Sequence, residues 1–368
     1  MPAHTLTKNF QDEKIPNLFP YPVSYLSQKP WKTFLSKNGY VNLSKKLMLK
    51  VFSTEEEIED LWKRFSEQFS VFDLWEVRCA FWKAYNFSPY FLSLLKGNSE
   101  HSEVIGLLPL WHNSDKLEKG DDPDECDAGK FVWFGSNWPE DNVFNISYPE
   151  LIPLLLTAAP SPLELACIRP KTEYEFLKDF PQFTLEEEEK YFLNLERYKT
   201  VDEYLSKLKK KKRYNLKRDR KKILSLRPQI FINRKNDLEE LFNLNIMRFR
   251  EVFPDEPDEH SAFEDERRKN VFRNLSKYSG NYETRIITTV INGQIEAVEF
   301  GLVYNKTYFA LNAGADISSY SGLGVFSNLL VIEDAVELGC KKIDFLEGDN
   351  NWKESWHLDH LYQYQFKK

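Results

Sequence analysis

Ser321–Trp356 reads SGLGVFSNLLVIEDAVELGCKKIDFLEGDNNWKESW, and its punctuation decides the fold. Gly322 and Gly324 open a helix predicted over 325–338, with Val325, Leu329, Ile332 and Val336 on one stripe. Gly339 then stands where a helix end takes a left-handed residue, and KKIDFLE follows as a strand. Upstream, YETRIITTV joins QIEAVEFGLVY through the hairpin signal Asn292-Gly293, and QIEAVEFGLVY turns at Asn305-Lys306 into TYFALNAGAD. Three antiparallel strands thus deliver the chain to a glycine-flanked helix start. Backbone N–H groups there lack intrahelical partners and the helix dipole is positive, so the place suits a phosphate.

Working outward, the same order of elements occurs twice. In the first half, KLMLKVFS reads as a strand. Thr54 and Glu57 form a capping-box pair ahead of Ile58, Leu61, Trp62, Phe65 and Phe69 at helical spacing. A second helix through Trp75 and Phe81 precedes YFLSLLKG, VIGLLPLW and KFVWFGS. In the second half, PQIFINR is followed by a helix from Asp237 to Phe253, with Leu238, Leu241, Phe242, Phe249 and Val252 on one side. A charged helix from Glu264 to Tyr278 comes next, and LYQYQFKK closes as a strand. The expectation is an α+β chain of two tandem copies, each a mixed, mostly antiparallel sheet flanked by helices. Its parts are an extension over 1–45, a copy over 46–198, a basic connecting helix over 199–227 and a second copy over 228–368.

Composition bounds the function. At 368 residues the chain exceeds one ordinary core. It has no run of about 18 apolar residues, and its N-terminus has no secretory core region, so the expectation is a soluble cytoplasmic protein. Cys79, Cys126, Cys167 and Cys340 form no CxxC pair, and His101, His112, His260, His357 and His360 show no HxH or HExxH spacing; no metal is expected. The net charge of -7 hides a pole at Lys207–Lys222, with eleven Lys or Arg against Asp219 alone. That helix, opened by Thr200 and Glu203 and running to about Leu226, is either a solvated connector or a surface for phosphates. The stretch Asp115–Asp127 is the acidic counterpart and reads as a solvated insertion between strands or, more simply, a disordered loop.

The element order and the quoted stretch resemble the GNAT acyltransferase superfamily, and within it the tandem branch of CelD-like proteins and Fem-type peptidoglycan bridge-forming aminoacyltransferases. Its loop pattern, [QR]xxGx[GA], cradles the coenzyme A diphosphate. Here it falls on Ser319–Gly324, matching both glycines, with Ser319 where Gln or Arg is usual. The CelD-like signature corresponds to Asp344, Phe345, Leu346, Gly348, Trp352, Lys353 and Trp356, and the branch's basic helix to Arg213, Asn215 and Arg218. The resemblance covers about residues 46–368 and is clearest from Val201 onward.

It implies acetyl-CoA or another acyl-CoA as donor, held by Ser321, Gly322, Leu323, Gly324 and Val325, with the thioester oxygen met by N–H groups near Asn312, Ala313 and Gly314. Arg213, Asn215, Arg218, Glu347, Lys353 and Trp356 are the implied substrate contacts. An amine acceptor must lose a proton, and Glu299, an acid in an otherwise apolar strand, is the candidate base; the alternative is a solvated strand face. Tyr320 is the candidate acid, the alternative being packing. Asp344 could pair with Lys353, either anchoring the last loop or tuning a site. In the first copy, Tyr148-Pro149-Glu150 replaces the glycine pair and proline removes a donor, so that copy is expected to be silent and to shape a substrate groove. The competing readings are a coenzyme A-dependent N-acyltransferase on a small or peptide-like amine, an aminoacyl-tRNA-dependent transferase with the basic helix on tRNA, and a non-catalytic binding module.

Overall fold

The computed structural model describes residues 21–22, 47–97, 102–116, 127–252, 261–278, 280–348 and 352–368. Most of the expected extension 1–45, most of the acidic stretch, and Cys126, His101 and His260 lie outside the described residues. The chain divides into two compact units. One comprises residues up to Gln68, Phe72–Glu186 and Gln363–Lys368; the other comprises Phe69–Val71 and Glu187–Tyr362. The segment 199–227 therefore lies inside the second unit.

The first unit runs β1 (Tyr21–Pro22), β2 (Leu47–Phe52), α1 (Glu55–Phe65), α2 (Trp75–Tyr85), β3 (Ser88–Lys96), β4 (Glu103–His112), β5 (Phe131–Trp133), β6 (Asn145–Ile146), α3 (Ile152–Ala158) and β7 (Glu164–Ile168). Its sheet has the order β1-β2-β3-β4-β5, with β6 also on β4. α1 forms because Glu55, Glu56 and Glu57 occupy its first turn and Lys63 and Arg64 its last, complementing the dipole, while Ile58, Leu61 and Trp62 are buried. Only part of the capping box forms: the Thr54 hydroxyl donates to Glu57 Oε2 at 2.6 Å and caps no backbone N–H. The helix stops at Phe65, so Phe69, expected on its apolar face, lies beyond it and is 58% exposed. Residues 364–367 of the last strand, β14 (Asp359–Lys367), pair antiparallel with β7. Tyr364 and Phe366 enter the same core as Leu92, Leu108 and Leu155.

The second unit takes its first strand from the later residues of β8 (Phe183–Asn194). There follow α4 (Val201–Lys207), α5 (Lys210–Ser225), β9 (Gln229–Ile232), α6 (Leu238–Val252), α7 (Glu266–Lys277), β10 (Glu283–Ile291), β11 (Gln294–Tyr304), β12 (Thr307–Ala315), α8 (Leu323–Glu337) and β13 (Lys342–Glu347). Its strands lie in the order β8-β13-β12-β11-β10-β9. The basic segment is two helices and not one, because Leu208 and Lys209 are extended and Leu208 is buried. Thr200 caps α4 as expected, accepting from the Glu203 N–H at 3.1 Å. The turns Asn292-Gly293 and Asn305-Lys306 carry positive φ at both positions (54° and 84°; 47° and 59°), the geometry that closes a two-residue hairpin. α8 and α5 pack on one face of the sheet, where Leu216, Ile287, Tyr308, Leu329 and Ile332 share a core. Phe272 of α7 meets Phe300 on the opposite face at 5.2 Å. Val252, expected on the apolar side of α6, is 50% exposed. No helix among the described residues is long and apolar enough to cross a membrane.

Candidate functional site

β12 and β13 run parallel for three pairs only, Thr307↔Lys342, Tyr308↔Ile343 and Phe309↔Asp344. β12 continues to Ala315 without β13 beside it, so the strands part from Ala310 onward. Just there, Phe300↔Asn312 is followed by Gly301↔Ala310, which leaves Leu311 as a bulge. The parted edge is where backbone donors were expected at Asn312, Ala313 and Gly314. One of the three is engaged by a side chain. The Ala313 N–H donates to Asn312 Oδ1 at 2.8 Å, and the Ala313 carbonyl accepts from Asn245 Nδ2 at 2.8 Å. Asn245 Nδ2 also donates to Asn312 Oδ1 at 3.0 Å, and its Oδ1 accepts from the Ser261 hydroxyl at 2.6 Å. Gly314 serves packing: a Cβ there would stand 2.4 Å from the Leu241 carbonyl on α6.

The start of α8 is built as the glycines predict. Gly322, with φ +96°, is the N-cap and supplies no side-chain cap. The Leu323 N–H donates to the Tyr320 carbonyl and the Phe326 N–H to the Gly322 carbonyl. Among the described residues, the N–H groups of Gly324 and Val325 find no protein acceptor. Space is open beside Gly324, where an added methyl group would meet Ile317 alone, at 3.7 Å. Asp316 shapes the preceding loop, accepting from the Ser319 N–H at 2.8 Å and the Ser318 hydroxyl at 2.9 Å. Burial would raise its pKa, but those bonds hold the carboxyl below its ordinary value. Tyr320, half-buried, packs its ring against the cluster of Ile223, Ala297, Ala315, Leu323 and Phe326.

α5 forms one wall beside this loop. Asp219 would sit 3.0 Å from a Cβ on Gly322, and Arg220 pairs with Glu333 of α8. Leu216 and Ile223 turn inward, while Lys209, Lys210, Lys211, Lys217, Lys221 and Lys222 are exposed. Of the three implied substrate contacts on this helix, Arg213 donates to the Ser206 carbonyl at 2.7 Å, Arg218 pairs with Asp219 at 2.8 Å, and Asn215 is half-buried.

Glu299 sits in the middle of the sheet, between Ile287 and Ala313. Cross-strand register puts it on the face of Ile287, which packs under α8. It is 8% exposed, so the solvated-face alternative fails. Among the described residues no hydrogen bond or ion pair reaches its carboxyl. Burial pushes its pKa from 4.5 up to about 8, with the charge of Arg248 opposing that rise.

The residues after α8 are tied down. Asp344 is fully buried between Lys190 Nζ at 3.1 Å and Lys342 Nζ at 3.0 Å, and accepts from the Leu346 N–H at 3.1 Å. Burial favours its neutral form, but the two ammonium groups outweigh it and hold the carboxyl below its usual range. The expected Lys353–Asp344 pair is not made. Lys353 Nζ donates instead to the carbonyls of Leu346 and Glu347, at 3.1 and 2.8 Å. Those carbonyls are presented by a bulge at which Leu346 takes φ +61°. Trp356 is 1% exposed, stacks edge-on against Trp352 at 5.1 Å, and accepts at its carbonyl from the Tyr204 hydroxyl at 2.8 Å. Asp344, Lys353 and Trp356 thus hold the strand and its loop, and only Glu347, at the strand end, keeps partial exposure. Burial raises the Cys79 and Cys340 thiols to about 11, away from thiolate chemistry. Sequence reasoning missed Lys190, Asn245 and Ser261. The acid-rich setting of Lys190 in EEEEKYF is its one local signal, and the other two meet their partners only through the fold.

Residues 210–354 match the family model described as the acetyltransferase (GNAT) domain. Among solved structures, a conserved protein of unknown function from Bacteroides thetaiotaomicron is 14% identical with a TM-score of 0.50, covering 87% of this chain and 100% of that one. FemX is 10% identical with a TM-score of 0.53, covering 87% of this chain and 97% of that one. No curated protein matches the chain. At such identities the structural likeness shows the fold alone, an α+β arrangement shared with these two proteins.

Proposed function

We propose that this protein, whose residues 210–354 match the GNAT domain model, transfers an acyl group from a coenzyme A thioester to an amine acceptor, a small molecule or peptide-like. The observation that carries the reading is the parting of β12 and β13 beside a helix start whose Gly324 and Val325 N–H groups are unclaimed. The donor's diphosphate would rest on Ser321–Val325, and its thioester supplies the activated carbonyl. Glu299 would take the proton the amine must lose. With a pKa of about 8, roughly a tenth of it is ionised at pH 7, so its basicity is matched to that proton at some cost in occupancy.

A second reading, an aminoacyl-tRNA donor, is favoured by the exposed lysines along α5. A cytoplasmic setting goes with either donor. Calorimetry with acetyl-CoA tests the first reading: binding should be seen and should weaken in Gly322→Val and Gly324→Val. No heat with the wild-type protein removes it. Steeply salt-dependent binding of an aminoacyl-tRNA would then select the second, and failure of both leaves a binding module.

A further inference from the structure

We propose that α5 and the turn into β9 form a docking face for an anionic lipid bilayer, with the helix cations on headgroup phosphates and neighbouring aliphatic side chains at the hydrocarbon boundary. The inference does not depend on the transferase reading. Lys207–Lys222 holds eleven Lys or Arg against Asp219 alone, while the chain as a whole carries -7. An anionic surface therefore repels most of the protein and attracts this segment, which favours one orientation of approach. Among the described residues, the carboxylate pairs of α5 are Lys217–Asp202, Arg218–Asp219 and Arg220–Glu333. That leaves Lys209, Lys210, Lys211, Lys221 and Lys222, all exposed, with no carboxylate partner among those residues.

Charge alone does not choose a partner; the apolar side chains do. Lys210, Tyr214, Lys217, Lys221 and Leu224 follow one another at helical intervals, so they share a stripe turned away from the buried Leu216 and Ile223. Tyr214, one turn from Lys210 and from Lys217, is 68% exposed. Of the twelve large apolar side chains that the described residues leave exposed, five lie in this short stretch: Tyr214, Leu224, Leu226, Ile230 and Ile232. Ile230 and Ile232 of β9, the last strand of its sheet, stand opposite Thr289 and Ile287, and directly opposed residues share a face. Ile287 shares a core with Leu216 of α5, so the aliphatic residues of β9 open on the side of the sheet that carries the helix.

A nucleic acid would engage the lysines and stack a base on Tyr214, but it offers nothing to four aliphatic side chains standing in water. A bilayer interface takes all of them. Its phosphates meet the lysines, whose stems lie along apolar surface, and a tyrosine sits at headgroup level. Leu224, Leu226, Ile230 and Ile232 reach toward the acyl boundary, as apolar residues beside a cationic helix face do at such surfaces. α5 has 16 residues, a length of about 24 Å, enough to lie along the membrane plane.

The test is co-sedimentation of the full chain with vesicles of phosphatidylcholine alone and of phosphatidylcholine mixed with an equal part of phosphatidylglycerol. Binding to the mixed vesicles, weakened by salt, and none to the neutral ones is expected. Each lysine near an anionic surface contributes about fivefold, so Lys210→Gln, Lys211→Gln and Lys221→Gln together should weaken binding about a hundredfold. Leu224→Gln with Ile232→Gln should weaken it about tenfold, while leaving any binding of bulk tRNA, measured in parallel, unchanged. All five positions are exposed, and native circular dichroism is expected in both variants. Glu299→Gln should bind vesicles like wild type, so failure of the transferase reading and failure of this one are separable. No sedimentation with the mixed vesicles, or full binding retained by the variant at Leu224 and Ile232, overturns the proposal. Binding of tRNA without binding of vesicles overturns it as well and assigns the helix to nucleic acid.

Discussion

Replacing Glu299 with Gln keeps the shape of a buried side chain while fixing it neutral. In the folded protein burial lifts this carboxyl from 4.5 to about 8; in the unfolded chain it titrates near its ordinary value. The folded state therefore holds a proton that the unfolded state has released, and stability falls as pH rises from about 4.5 to about 8. That window of about 3.5 pH units, at about 1.4 kcal/mol each, sets a ceiling of roughly 5 kcal/mol. Glu299 keeps 8% exposure and lies in the field of Arg248, so we expect about half of that ceiling, on the order of 2–3 kcal/mol. Urea unfolding at pH 5, 7 and 9 reads it directly: wild type should lose that amount relative to Glu299→Gln between pH 5 and 9. If turnover is present, it should climb through pH 8 in wild type and be lost in the variant. Parallel stability curves over this range would show that Glu299 ionises normally, and the assignment of a buried base would go with them.

Gly314→Ala should destabilise by about 1–3 kcal/mol through collision with the Leu241 carbonyl, whereas Gly324→Ala, with 3.7 Å of clearance, should leave the unfolding midpoint within error; equal effects would contradict the packing described. Asp344→Asn should cost about 3–5 kcal/mol by stranding Lys190 in the interior, and the double variant Lys190→Met, Asp344→Leu should recover much of it in denaturant titrations. Substituting Gln for Lys210, Lys217 and Lys221 together should flatten the salt dependence of binding by whichever phosphate-bearing donor is used, with stability unchanged because all three are exposed.

Local chemistry made much of the fold readable. Asn292-Gly293 and Asn305 marked hairpins because Asn and Gly tolerate positive φ, and Gly339 stopped α8 for the same reason. The doubled order of elements followed from period alone. What stayed hidden depended on residues far apart in sequence. Lys190 meets Asp344, and Asn245 meets Asn312, only after the sheet has formed. The expected Lys353–Asp344 contact failed because a bulge at Leu346 turned carbonyls toward the lysine, and period-two alternation contains no hint of that extra residue. Trp356 looked available because an aromatic residue near a strand end reads the same whether it stacks on a ligand or fills a core, as it does here. Glu299 was read as an acid out of place in an apolar strand, and burial is what gave that reading its force.

The pairing of β7 with residues 364–367 gives the first unit a partner strand encoded some two hundred positions downstream. A ribosome must therefore deliver the chain through Phe366 before the earlier-made unit can bury Leu165 against it. Until then that unit keeps an open hydrogen-bonding edge, a target for chaperones and for misassembly alike. Clipping a handful of residues after Tyr362 should accordingly injure the portion synthesised first.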